Sequence, residues 1–421
     1  MIKLSNAPVE RQEADVKAVF LINKNYRKMI FAESVSDLGG YFYFISILWL
    51  ASNITENALS ISFIRLAETI PGVLFGFFIG ALVDKLNKKK VSVISEWVSA
   101  ALVFLVATTF FIGYLNIWVI YVAAFFLAIC TRFSSTAKSA MIPKIVGKEK
   151  IQKANSYSNI SGQAMSIIGN SIGGVILSAF GALYMLISTS MSMVFSGFMI
   201  SRIKLDSGVE DKNKIKLKEL ANLGVIMSDI RAGFSYIKTK PILLVNLSMS
   251  FSLGIALSSL ILVPLYIQQD LSLSAAHFGL IEALSATSMV LISFFLSKKN
   301  VKHPLLFMGF ATITIGVGFV TMSLYTSLLL LLFSRIIIGS MIALFNILFI
   351  TQIHTQVEDG YIARVLTVSY VFSSLLYPIF SVLSGIIASN TSIRTSWFTL
   401  GATVTVVNIL LIVIGKLKLK I

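Results

Sequence analysis

Twelve runs of about 20 mostly apolar residues recur along the 421-residue chain, each long enough to carry an α-helix across a hydrocarbon core of about 30 Å. They centre near Tyr41, Gly72, Val103, Phe125, Ile168, Met193, Leu253, Val290, Thr312, Ser340, Leu376 and Val404. No soluble globule hides that much apolar chain: 56% of the residues are hydrophobic and 13% charged, whereas soluble domains carry about 25% charged residues. The expected fold class is an all-α integral membrane protein with 12 transmembrane helices.

The charges between the runs orient it. Basic residues fall in alternate intervals: Lys85 to Lys90, Lys138 to Lys153, Arg202 to Lys240, Lys298 to Lys302 and Lys416 to Lys420. The other intervals hold one basic side chain, Arg394. Short Lys/Arg-rich loops stay on the side of insertion, so the basic intervals and both termini are expected to be cytoplasmic. A net charge of +16 would suit nucleic acid, but cations dispersed between apolar runs are topology signals and no nucleic-acid partner is expected. Cys130 stands alone inside an apolar run and His277, His303 and His354 lack ligand spacing, so neither a disulfide framework nor a bound metal is expected. Residues 1–25 read as a cytoplasmic tail, with charges of both signs and no apolar core of a signal peptide.

The longest polar interval divides the runs into two sets of six, residues 26–203 and 241–415, with a linker at 204–240 and a short tail at 416–421. In the linker, Leu217, Leu220, Leu223, Ile226, Ile230, Phe234 and Ile237 recur at helical spacing among charges, which predicts an amphipathic helix on the inner membrane surface, with a disordered linker as the alternative. Ile142, Val146, Ile151, Gly174 and Ile176 match Ile353, Val357, Ile362, Gly385 and Ile387 at a constant separation of 211, as 353 − 142 and 387 − 176 show. A fixed offset of half the chain suggests a duplicated six-helix unit.

Between the second and third runs the chain reads Gly80-Ala81-Leu82-Val83-Asp84-Lys85-Leu86-Asn87-Lys88-Lys89-Lys90. Gly80, Leu82, Asp84, Lys85, Lys88 and Lys89 resemble the loop after the second helix of the major facilitator superfamily of transporters, with Asn87 where a second glycine is usual, a position expected to need positive φ. Asp84 could act as a conformational latch, bonding a helix N-terminus or a basic group across an interface in one state and releasing it in another. The alternative is a solvated basic turn. In the fifth run, Gly169, Asn170, Gly173 and Gly174 partly resemble the exporter signature of proton-driven antiporters in that family, with Asn170 in place of its proline; the adjacent glycines predict a weakened, bent helix, or else packing alone. The segments from Ile142 to Asn155 and from Val357 to Val365 resemble the bacterial drug and macrolide efflux branch, which also contains siderophore exporters. The resemblance covers residues 26–415, and implies two pseudo-symmetric six-helix bundles with a substrate site between them near the midplane. It departs where the fourth-helix arginine of the family is Leu127 here, with Arg132 later in the run.

A charge at the bilayer centre costs about 2.5 to 3.5 kcal/mol on the insertion scale, so each one needs a reason. Glu33, Asp37, Arg65, Glu68, Arg132, Glu282 and Arg335 are the proton-coupling and cavity candidates, and the resemblance implies that their helices face the cavity. Glu33 and Asp37, one turn apart, share a face with Tyr41, Phe44 and Leu48. Two such carboxylates resist being ionised together, so one can hold and release a proton; a structural role for Asp37 is the alternative. Arg65 and Glu68, at i and i+3, can neutralise each other; Glu282 must be protonated, meet water, or pair across helices with Arg335 or Arg65. Tyr41, Phe44 and Phe75 are the aromatic cavity candidates, and the repeat Gly72, Gly76, Gly80 predicts close approach of another helix.

The expectation is a proton-coupled antiporter, monomeric in the lipid of a bacterial plasma membrane, exporting amphipathic small molecules such as macrolides. It would use the proton gradient and no cofactor, since no phosphate-binding loop is present. Export of an endogenous metabolite such as a siderophore is the second reading. A membrane sensor or enzyme is the remote one, lacking an output domain or clustered catalytic groups.

Overall fold

The computed structural model describes residues 23–147, 150–204, 234–297 and 301–419, and these contain helices and no strands. In chain order the helices are α1 (Lys24–Ile54), α2 (Ala58–Lys85), α3 (Lys88–Phe111) and α4 (Ile117–Val146). The helix Ile151–Ser201 breaks at Gly181, whose φ of 80° and ψ of 169° are non-helical, so its arms 151–180 and 182–201 are α5 and α6. Pro241–Gln269, with a 3₁₀ turn at Ser259–Leu262, is α7. Then follow α8 (Ala275–Ser297), α9 (Pro304–Leu324), α10 (Leu328–Gln356), α11 (Asp359–Asn390) and α12 (Ile393–Leu419).

Local sequence explains these boundaries. Asn23, Asn57, Asn87 and Asn116 each accept backbone N–H bonds at the start of α1 to α4, the role in which a short polar side chain replaces a missing intrahelical partner. Asn87 has φ of −67°, so it is in the α2–α3 turn as a cap for α3 and not, as expected, for positive φ. Pro241 and Pro304 open α7 and α9, where a missing N–H is harmless. Arg394, the basic side chain of the lysine-poor intervals, caps the end of α9: its guanidinium donates to the carbonyls of Ser323 at 2.7 Å and Leu324 at 2.6 Å.

By length and composition, ten helices among the described residues can cross a membrane. The helices α1 to α12 overlie the apolar runs read from the sequence, with Ile168 of the fifth run in α5 and Leu376 of the eleventh in α11.

These two helices join the halves. Within residues 24–201, α1 packs on α5 and α6, α2 on α4, and α3 on α4 and α6; within 241–419, α7 packs on α11 and α12, α8 on α10, and α9 on α10 and α12. Across the divide α5 meets α8 and α11 meets α2. Gly174 and Gly385, 211 residues apart, mark the crossings: a Cβ on Gly174 would overlap the backbone of Gly279, and one on Gly385 would overlap Ser62. Gln268 donates to Ser52 at 2.8 Å, and Trp49 stacks on Phe278 with ring centroids 5.8 Å apart. All of these lie toward the end opposite the lysine-rich turn.

There one apolar cluster runs through both halves, from Ile47 and Ile64 to Tyr266 and Trp397. At the lysine-rich end each half buries its own: Tyr26, Met29, Met141 and Ile200 in one, Leu243, Ile353, Val357 and Val368 in the other. The halves therefore close at one end and part at the basic end. Gly76 and Gly80 have nothing within 4 Å of where a Cβ would sit, so no helix approaches along them as the glycine repeat predicted; Gly72 instead lies under the Arg132 side chain of α4. Gly173 and Gly174 keep helical φ/ψ within α5, and the non-helical residue is Gly181. The predicted linker helix falls mostly outside the described residues; 234–239 are helical.

Candidate functional site

Three ionic centres lie inside the helices. The first joins α1, α3 and α4. Glu96 of α3 is 4% exposed and accepts from Lys138 Nζ at 2.6 Å, Ser134 Oγ at 2.7 Å and Ser36 Oγ at 2.9 Å. Ser36 is the chain neighbour of Asp37, whose carboxylate lies 3.9 Å from where a Cβ of Gly162 on α5 would be. Glu33, a turn before Asp37, accepts from Ser158 of α5 at 2.9 Å. Asp37 accepts no hydrogen bond among the described residues; the charges within its electrostatic reach are Glu33, Lys138 and Glu96.

The second centre joins α1, α2 and α11. Arg65 pairs with Glu68 at 2.9 Å, and its guanidinium lies 4.4 Å from the Phe44 ring centroid and 5.3 Å from that of Tyr377. Two aromatic faces supply cation–π attraction where water is scarce. The third is Glu282 of α8 with Arg335 of α10, 2.5 Å apart, in which Arg335 Nε has no partner. Of the two partners open to Glu282 from sequence, the structure selects Arg335.

Other expected site residues are placed around these centres. Tyr41 packs against Gly169 and Ile45 against Gly173, so the exporter-like glycines of α5 seat α1 while Gly174 seats α8. Asn170 donates to Ser166 at 3.5 Å. Phe75 is 40% exposed and meets Phe125 of α4 edge-on, on a different contact from the Phe44–Arg65 pair. Asp84 and Lys85 are exposed and Lys89 is half-buried; Lys88 donates to the Asp84 carbonyl at 3.0 Å, and the Asp84 carboxylate has no partner among the described residues. Sequence reasoning missed Glu96 and Lys138. It placed Lys138 in a basic loop; the structure buries it to 6% exposure within α4, because nothing breaks that helix before Gly147. The signal was present: Ser134 and Lys138 are at i and i+4, on one helix face.

A family model described as Major Facilitator Superfamily matches residues 29–379. The chain belongs to the Major Facilitator Superfamily. It is 24% identical over 371 residues to the uncharacterized MFS-type transporter YvqJ of Bacillus subtilis, covering 87% of this chain and 86% of that one. Macrolide efflux protein A of Streptococcus pyogenes is 20% identical over 368 residues, 86% of this chain and 88% of that one. The multidrug efflux pump Tap of Mycolicibacterium fortuitum is 27% identical over 201 residues, 46% of this chain and 49% of that one. Among solved structures, a bacterial homologue of the lysosomal transporter Spinster, inward-facing and occupied, superposes with a TM-score of 0.69 at 9% identity, covering 94% of this chain and 97% of that one. Membership in the superfamily makes the chain a multi-pass membrane transporter rather than an enzyme.

Proposed function

We propose that this transporter is a proton-coupled antiporter that exports amphipathic or hydrophobic small molecules of the macrolide kind from the cytoplasm. The observation that carries the reading is a charge imbalance. The second and third centres are self-neutral pairs, but among the described residues the first sets Glu33, Asp37 and Glu96 against Lys138. Carboxylates in excess at low dielectric are neutralised by protons, and Asp37, with no hydrogen bond to hold it ionised, is the site that binds and releases one. Relatives that carry drug and macrolide efflux in their names support the cargo class.

The basic end then faces the cytoplasm, and the described state is open to it. Substrate enters between the bundles, past Phe44, Tyr41 and the Arg65–Glu68 pair, while Gly174 against Gly279 and Gly385 against Ser62 seal the far side. Closing the basic end brings the Asp84 carboxylate, idle here, against the opposite bundle and engages the latch. Entry of one proton down about 150 mV releases about 3.5 kcal/mol, enough for a gradient of a few hundred-fold in a neutral cargo.

Inverted membrane vesicles containing the protein test this. An acid-inside pH gradient should drive uptake of a cationic dye or a labelled macrolide to several times the level of Asp37→Asn vesicles. Uptake equal in the two, or driven only by a sodium gradient, would overturn it.

A further inference from the structure

Helix α3 buries a carboxylate, Glu96, against a lysine of α4 one helix away from Asp37. We propose that Lys138 is a counter-ion shared by Glu96 and Asp37, making the Glu96–Lys138 pair of α3 and α4 a positioning device that sets the proton affinity of Asp37 on α1. The inference rests on the proton-coupled reading for its meaning in transport, and on geometry for its existence.

Glu96 receives three donors, Ser36 of α1 and Ser134 and Lys138 of α4, so both of its oxygens are engaged. Among the described residues Lys138 has one acceptor, Glu96 Oε1, although an ammonium carries three donor hydrogens that can reach toward a second carboxylate. Asp37, next to the Ser36 that ties α1 to Glu96, is the neighbouring carboxylate with no hydrogen bond of its own. The groups facing Asp37 are Glu33 and Tyr41 on its own helix, Glu96 from α3 and Lys138 from α4, while α5 presents Gly162 there; Lys138 is the cation among them.

The chemistry follows from that arrangement. With a proton on Asp37, Lys138 belongs to Glu96 and the two form a neutral pair. When the proton leaves, the new anion competes for the ammonium, and the ion pair is drawn out between two carboxylates. No covalent bond changes: the proton passes to the water of the cleft, and one hydrogen bond of Lys138 is redirected.

The test measures protonation directly, without transport. In purified protein the infrared carboxylic-acid band that vanishes in Asp37→Asn is followed against pH. Glu96→Gln keeps the shape of the side chain and frees Lys138 for Asp37, so the pH midpoint of that band should fall by about one unit; Lys138→Met should raise it by a similar amount, and Lys138→Arg should restore it. A pair that only braces the helices predicts lower melting temperatures with midpoints coinciding with the wild type, and that result would overturn the proposal, as would shifts of both variants in the same direction. If Lys138→Met does not fold, Glu96→Gln decides alone. Split midpoints in a protein whose vesicle uptake ignores the pH gradient would leave the shared counter-ion standing and remove the proton-export reading. Proton-driven uptake with coinciding midpoints would do the reverse.

Discussion

Arg335 is 4% exposed and answers a single carboxylate, Glu282, whose side chain is 21% exposed. Removing one member of a buried pair strands the other charge, so Arg335→Met should lower stability by about 3 kcal/mol, toward the lower end of the usual range because Glu282 is partly open; thermal unfolding of the purified protein reads it. Adding Glu282→Gln should recover most of the loss. The two neutral pairs were legible in the sequence for different reasons: Arg65 and Glu68 by their spacing, Glu282 and Arg335 by the scarcity of charges inside the runs. The Glu96–Lys138 pair was not, because a lysine near the end of an apolar run is assigned to the loop unless the helix is known to continue past it. Outside the membrane-spanning segments, Lys240 donates to Glu358 at 3.0 Å, and the Tyr236 hydroxyl is 3.3 Å from the same oxygen. The bond from Lys240 holds the Glu358 carboxyl below its usual range, and the Tyr236 and Glu358 contacts hold Lys240 above its own. A lowered carboxyl contributes stability above the unfolded pKa and loses it as pH falls through the folded one, while the raised lysine loses its share only in strong alkali. The melting-temperature difference between wild type and Glu358→Gln should therefore be flat from about pH 5 to 9 and shrink below about pH 4.

Among the elements, the joint between α5 and α6 is one residue wide. Gly181 has φ of 80°, a conformation that a side chain on Cα opposes, so Gly181→Ala should destabilise by more than about 1 kcal/mol although a Cβ there would touch nothing within 4 Å. Chemical denaturation of the purified protein checks this against Gly173→Ala, which fails for a different reason, a clash with Ile45. Adjacent glycines lower helix propensity, but packing of α1 and α8 against Gly173 and Gly174 compensates, while Gly181 turns the chain between the fifth and sixth apolar runs. Any side chain on Gly279 must displace the Gly174 backbone, so Gly279→Val should hold the far end apart. Spin labels at Glu56 and Ser389, across that end, should show a longer mean distance than in the wild type, and an unchanged distance would place the seal elsewhere.

In the whole molecule, α5 and α11 are the helices that make most of the contact of one half with the other, each laid across its partner at a glycine. Counting apolar runs found the fold class and the helices, but a run does not say which helices cross the divide. The parting of the halves at the basic end could not be read from sequence at all, since it belongs to one state of a protein built for two. With the Asp84 carboxylate unpartnered in this state, Asp84→Asn should leave the melting temperature unchanged and slow turnover, separating a latch from a solvated turn. The central claim is that the excess of carboxylates in the α1–α3–α4 corner carries protons exchanged for cargo. Purified protein in weakly buffered detergent solution, mixed with a macrolide while the pH is recorded, tests that claim most directly. Proton release on mixing, absent in Asp37→Asn, is the predicted result; binding of the macrolide without any proton movement would contradict it.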